Sequence, residues 1–243
     1  MSTRFTALVA CASLAVAGCA SDKSITGTPP ATALVRFINA TNTGMDVAIA
    51  GLVTTANTNI ASLGATQCLT VNATTPSLSF RNTGTTTDLT GFTANFTAGH
   101  RYWIVAVTGA ASATQFVTLD QAFTAAAPTT DAGLAGLNAV NGGGPFDLHV
   151  AAPGTALGSA TLASGNLAFG VPSALAKHTV LFNTATPPVA QPEQVQFTNA
   201  GTTTVARNHG NVTFVPNTSN LAIVVSGAAA TPTTLRSIFN AGC

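Results

Sequence analysis

The chain has 243 residues, with eight Lys plus Arg against seven Asp plus Glu and only 6% charged residues in all. Its cations are scattered without a basic run, and neutralising phosphates takes clustered Lys and Arg, so nucleic acid is excluded as a partner. The Glu and Lys that build exposed helix faces are scarce, whereas Thr, Val and Phe suit a pleated surface and Gly, Asn and Pro mark turns, so the composition predicts an all-β protein.

The first element is a signal peptide: one positive charge at Arg4, an apolar run from Phe5 to Val16, then small residues. The run is short of the roughly 20 apolar residues a spanning helix needs. Its end, Val16-Ala17-Gly18-Cys19, resembles the lipobox of bacterial lipoproteins. That resemblance implies cleavage after residue 18, a diacylglyceryl group on the Cys19 sulfur and usually an acylated new amino terminus. With ~0.8 kcal/mol per buried methylene, several palmitate-length chains anchor a protein stably to a membrane. Ala20 and Ser21 follow the cysteine with no Asp directly after it, which by analogy with lipoprotein sorting points to the outer membrane, on its periplasmic or surface side. Cleavage leaves 225 residues with seven basic and seven acidic side chains, enough for two domains. Residues 19–31, polar and carrying Pro29 and Pro30, read as the lipidated cysteine and a flexible tether. No later apolar stretch reaches spanning length, so the lipid is the expected membrane anchor.

A repeat begins after the tether. Asn39-Ala40-Thr41-Asn42 recurs as Asn138-Ala139-Val140-Asn141, preceded by apolar residues Val35 and Phe37 in one case and Leu134 and Leu137 in the other. Met45 to Ile49 lines up with Phe146 to Val150, and both run into a glycine, Gly51 and Gly154. Ser77 to Phe80 is paired with Thr179 to Phe182, and Trp103 to Gly109 with Leu221 to Gly227. The reading is two copies, residues 32–125 and 132–243, joined by the small-residue stretch 125–131. Short alternating runs between Gly, Asn, Thr and Pro clusters predict about seven strands per copy, hence two tandem Ig-like antiparallel β-sandwiches.

The block Val35-Arg36-Phe37-Ile38-Asn39-Ala40, followed by Met45-Asp46-Val47-Ala48-Ile49-Ala50-Gly51, resembles the opening of domain-of-unknown-function family 4397. Members tend to carry an alternating strand, Asn or His with Ala, a short turn, an Asp-Val-Tyr-Val-like strand with glycine, and later a strand ending in glycine, here Arg101 to Gly109. Ala48 stands where an aromatic is common, and the second copy has Gly136-Leu137 in place of Arg36-Phe37. The resemblance covers most of the first copy and, less closely, the second. It implies a secreted or surface β-sandwich and no reaction.

Groups that could carry chemistry are few. His100, His149, His178 and His209 lie far apart without metal-ligand spacing. Asp147 and His149 share one face of a strand, half of a cation site, with no second pair. Gly158-Ser159 and Ser164-Gly165 are ordinary turn pairs without the strained elbow of a serine nucleophile. Glu193, the single glutamate, reads as a loop residue beside Pro192. Tyr102 and Trp103 are adjacent and so point to opposite faces, one expected in the core and the other exposed. The Asn of the repeated block is expected to satisfy turn backbone. With Cys11 in the signal and Cys19 lipidated, Cys68 and Cys243 are left as a candidate disulfide, and the sequence leaves open whether their sulfurs meet. The functional expectation is a non-enzymatic envelope module without a cofactor, contacting an envelope protein or glycan. The alternatives are a self-associating structural protein and a cryptic hydrolase working through Asp147 or His149.

Overall fold

The computed structural model describes residues 31–243 apart from 75, 94, 123–129 and 228–234. The expected signal peptide and lipobox (Val16, Ala17, Gly18), Cys19, nearly all of the tether and most of the joining stretch lie outside the described residues.

Thr-, Val- and Phe-rich runs of alternating burial form strands throughout. The first copy contributes β1 (Thr32–Ala40), β2 (Met45–Ile49), β3 (Leu52–Val53), β4 (Leu69–Asn72), β5 (Leu78–Asn82), β6 (Arg101–Thr108) and β7 (Thr114–Asp120). The second contributes β8 (Asp131–Ala139), β9 (Phe146–Ala151), β10 (Thr161–Leu167), β11 (Ala176–Thr179), β12 (Pro192–Asn199), β13 (Val205–Thr213), β14 (Ser219–Ser226) and β15 (Leu235–Ala241). Helix among the described residues is limited to two single 3-10 turns, Ala110–Ser112 and Leu157–Ser159. The chain is all-β, two sandwiches in tandem.

Each copy splits into two sheets, ordered β3-β2-β5 and β4-β1-β6-β7 in the first, and β10-β9-β12-β13 and β11-β8-β14-β15 in the second. Most pairings are antiparallel, as expected. One pair in each copy departs: β1 with β6 and β8 with β14 run parallel. The intervening strands of each copy supply the other sheet and the edge strand β4 or β11, so the chain returns by a long crossover, which is what a parallel pair requires.

Three apolar cores show how the layers stack. One joins the two sheets of the first copy through Val35, Phe37, Val47, Phe80 and Ile104. Another joins those of the second through Leu134, Leu148, Val195, Phe197 and Val224. The third belongs to both copies: Ile38, Trp103 and Val105 pack with Leu137, Leu221 and Ile223. The sheets β4-β1-β6-β7 and β11-β8-β14-β15 therefore lie face to face as the middle layers of a four-layer stack. Successive side chains of a strand point to opposite faces, so the central strands of these layers are apolar at nearly every position. All nine residues of β8 are buried. Tyr102 corrects the expectation that one of the adjacent aromatics is exposed: it is 6% exposed, and Trp103 is fully buried. Tyr102 enters the core of the first copy and Trp103 the shared one, because this sheet has a core on each side.

The structure also corrects one block of the repeat. Ser77 to Phe80 enters β5, which pairs with β2. Its counterpart is Gln194 to Phe197 of β12, which pairs with β9 in the same register, whereas Thr179 to Phe182 runs off the end of β11. The second copy carries a longer connection between β11 and β12 than the first has between β4 and β5, and this insertion displaced the sequence match.

Candidate functional site

The two copies serve as controls for one another, since a feature present in both supports the fold and a feature in one alone needs another reason. Asn39 and Asn138 belong to the first kind. Asn39 accepts from the Thr41 N–H and donates to the Thr43 and Ile60 carbonyls; Asn138 accepts from the Val140 N–H and donates to those of Gly144 and Leu167. Both side chains are fully buried and satisfy turn backbone.

Asp46 and Asp147, aligned in the repeat, form a second matched set whose shared role the sequence did not show. Asp46 accepts from the N–H groups of Asn59 and Gly84, and Asp147 from those of Asn166 and Gly201. All four donors have positive φ (50°, 80°, 55° and 72°), so each aspartate pins two left-handed loop residues. Asp147 is thereby a loop clamp, and His149, expected beside it as half a cation site, has its Nε2 3.4 Å from the Thr198 hydroxyl instead. Among the described residues no three His, Cys, Asp or Glu side chains converge as a metal site.

Burial works to raise the Asp46 pKa, but hydrogen bonds from Asn59, Thr58, Gly84 and Thr83 outweigh it and hold the carboxyl below the ordinary range. The folded-state pKa is thus the lower one. Its stabilisation is complete above the unfolded value of about 4 and is lost as pH falls through the folded value. Melting temperature is therefore expected to fall on acidification below about pH 4, and Asp46→Asn should flatten part of that fall. An unchanged acid limb in the variant, followed by circular dichroism, would remove Asp46 from this role.

Cys68, just before β4, and Cys243, just after β15, are joined by a disulfide with Cα atoms 5.7 Å apart. It links an edge of one middle sheet to an edge of the other. Polar contacts follow the same seam. Arg36 donates to Asn240, Arg236 to Asn42 and Ser62, and the Cys243 N–H to Gln121 Oε1. Beside it lies a cleft of about 420 Å³ walled by His100, Arg101, Asp120, Asn217 and Cys243.

The feature present in one copy alone is a buried histidine-carboxylate pair, since the His100–Asp120 pair of the first copy lies at the surface, its side chains 41% and 36% exposed. In the first copy, Val71 on β4 sits opposite Ala33 of β1 and packs into the core. In the second, the position opposite the equivalent Ala132 on β8 is His178. Its Nε2 lies 3.1 Å from each oxygen of Glu193, whose Oε1 also accepts from the Leu181 N–H. Both side chains are almost enclosed, at 10% and 6% exposure. Glu193 is not the loop residue expected: it is the second residue of β12, on the inward face shared with Val195 and Phe197. Pro192 misled the reading, since proline is tolerated as the first residue of a strand. The His178 ring packs on Phe214 with centroids 4.3 Å apart.

Above the pair opens a groove of about 640 Å³ along the side of the second sandwich, walled by Val150, Ser159, Thr161, Lys177, Leu181 and Phe182. Lys177 Nζ is 2.7 Å from Asp131, whose carboxyl is held below its ordinary range chiefly by that contact. The arrangement orients a histidine by a carboxylate at the base of a groove, leaving Nδ1 for an occupant. Ser159 of the expected turn pair Gly158-Ser159 lies in a 3-10 turn on the groove wall, and Ser164-Gly165 lies in β10. The one cue in the sequence was that Glu193 is its single glutamate. No protein-family model matches the chain, and no curated protein matches it.

Proposed function

We propose that the protein is a lipid-anchored cell-envelope module, held by Cys19 at the outer membrane, that binds a ligand in the groove over His178 and Glu193 without chemical conversion. One observation carries the reading: the position filled by Val71 in the first copy is His178 in the second, where it joins the buried carboxylate of Glu193. Fully burying a valine contributes about 1.5–3 kcal/mol, whereas a buried histidine and carboxylate must offset their own desolvation. The fold forms without the pair in the first copy, so the pair serves recognition. The middle layers and the disulfide make the rest of the molecule a rigid support for that groove. On the blocks Val35–Ala40 and Met45–Gly51 we group the first copy, and less closely the second, with domain-of-unknown-function family 4397.

The test is affinity capture from a cell-envelope extract with the mature chain, comparing wild type with a His178→Val, Glu193→Gln variant. Wild type is expected to retain a ligand at least about tenfold better, a difference of ~1.4 kcal/mol. Equal retention by both would overturn the groove as the binding site.

A self-associating envelope protein is the second reading, favoured by β13, a nine-residue strand at the end of its sheet with Val205 exposed. A strictly monomeric protein at high concentration counts against it.

A further inference from the structure

We infer that the groove takes a neutral, hydroxyl-rich chain, an oligosaccharide, with a sugar hydroxyl donating to His178 Nδ1; this rests on the groove being the binding site. The carboxylate of Glu193 can only accept, so His178 directs an N–H from Nε2 toward it, and in the tautomer this contact selects Nδ1 is the acceptor. The charged groups around the groove already have partners: Lys177 pairs with Asp131, and the Glu193 oxygens hold hydrogen bonds from His178 Nε2–H and the Leu181 N–H. An anionic ligand finds no free cation there and a cationic one finds the Glu193 oxygens already engaged, so either would lose its hydration without return. The remaining wall offers the hydroxyls of Thr155, Ser159 and Thr161, each able to donate and accept, and the half-buried ring of Phe182. Hydroxyls beside an aromatic face match the two aspects of a pyranose, its polar edge and its C–H face.

A peptide is the less favoured occupant. Strand addition needs a run of unpaired backbone along a sheet edge. The edge strand β11 is only four residues long, and beyond it the backbone is already engaged, with the Leu181 N–H on Glu193 and the Leu181 carbonyl accepting from the Gln191 N–H.

The experiment follows the His178 imidazole nitrogens by NMR in the mature chain during titration with maltotriose, cellotriose, triacetylchitotriose, trigalacturonate and an extended Thr-rich decapeptide, and with a cell-envelope extract. At least one neutral trisaccharide should move the Nδ1 resonance saturably, and Phe182→Ala should weaken that response on the order of tenfold while its spectrum stays folded. If the neutral sugars leave His178 unmoved while the decapeptide, trigalacturonate or extract moves it, the sugar inference falls and the groove reading stands. If nothing moves it, extract included, both fall.

Discussion

Cys243→Ser is expected to lower the stability of the folded chain by about 5 kcal/mol, since a crosslink across a sequence separation of 175 residues removes that much loop-closure freedom from the unfolded chain. For a chain of this size the loss corresponds to a drop of roughly 10–20 °C in melting temperature. The bond also fastens the last residues after β15 to the segment before β4, where Arg36, Asn240 and Gln121 continue the contact. Calorimetry of wild type with and without reductant, beside the serine variant, checks it. Reduced and oxidised proteins that melt together would show that the bond contributes nothing.

Trp103→Ala is expected to cost about 3–5 kcal/mol, the range for emptying a large buried aromatic site. Its distinguishing consequence is where the loss is felt. Trp103 is fully buried in the core that takes Ile38 and Val105 from the first copy and Leu137, Leu221 and Ile223 from the second. A cavity there loosens both copies, so one cooperative transition should move down as a whole. Two copies folding independently would instead show the first melting early and the second unmoved, which the same calorimetric trace separates.

Much of the architecture was legible because the repeat recorded it twice. Asn39 and Asn138 lie near the ends of β1 and β8 in the same hydrogen-bonded corner, and Gly51 and Gly154, in the turns after β2 and β9, both take a left-handed conformation, with φ of 78° and 79°. Such local matches survive divergence because the backbone geometry demands particular residues. The stacking of the two copies was harder to read. Alternation tells which residues share a face, but not that both faces of β6 meet apolar neighbours, so Tyr102 and Trp103 invited one exposed position. The continuous run Tyr102 to Val107 was the available signal, since only a strand covered on both sides is apolar throughout.

The site was illegible for a different reason. His178 and Glu193 are brought together by a strand of each sheet, with a hairpin inserted between them, and neither belongs to a spacing motif. Only the register of β11 on β8, laid over that of β4 on β1, shows that a valine position has become a histidine. Asp147 and His149 attracted attention by proximity in sequence, whereas the Asp46 counterpart shows that this aspartate serves the loops.

The most direct test of the division between a supporting first copy and a binding second one is the stability of the His178→Val, Glu193→Gln variant, measured by chemical denaturation. Valine restores the residue of the first copy, and glutamine keeps an acceptor for the Leu181 N–H. The variant is expected to have a stability within about 1 kcal/mol of wild type or above it, because burying the valine contributes about 1.5–3 kcal/mol and offsets the hydrogen bonds lost between His178 and Glu193. A loss of about 3 kcal/mol or more would contradict it, because the pair would then be holding the sandwich together.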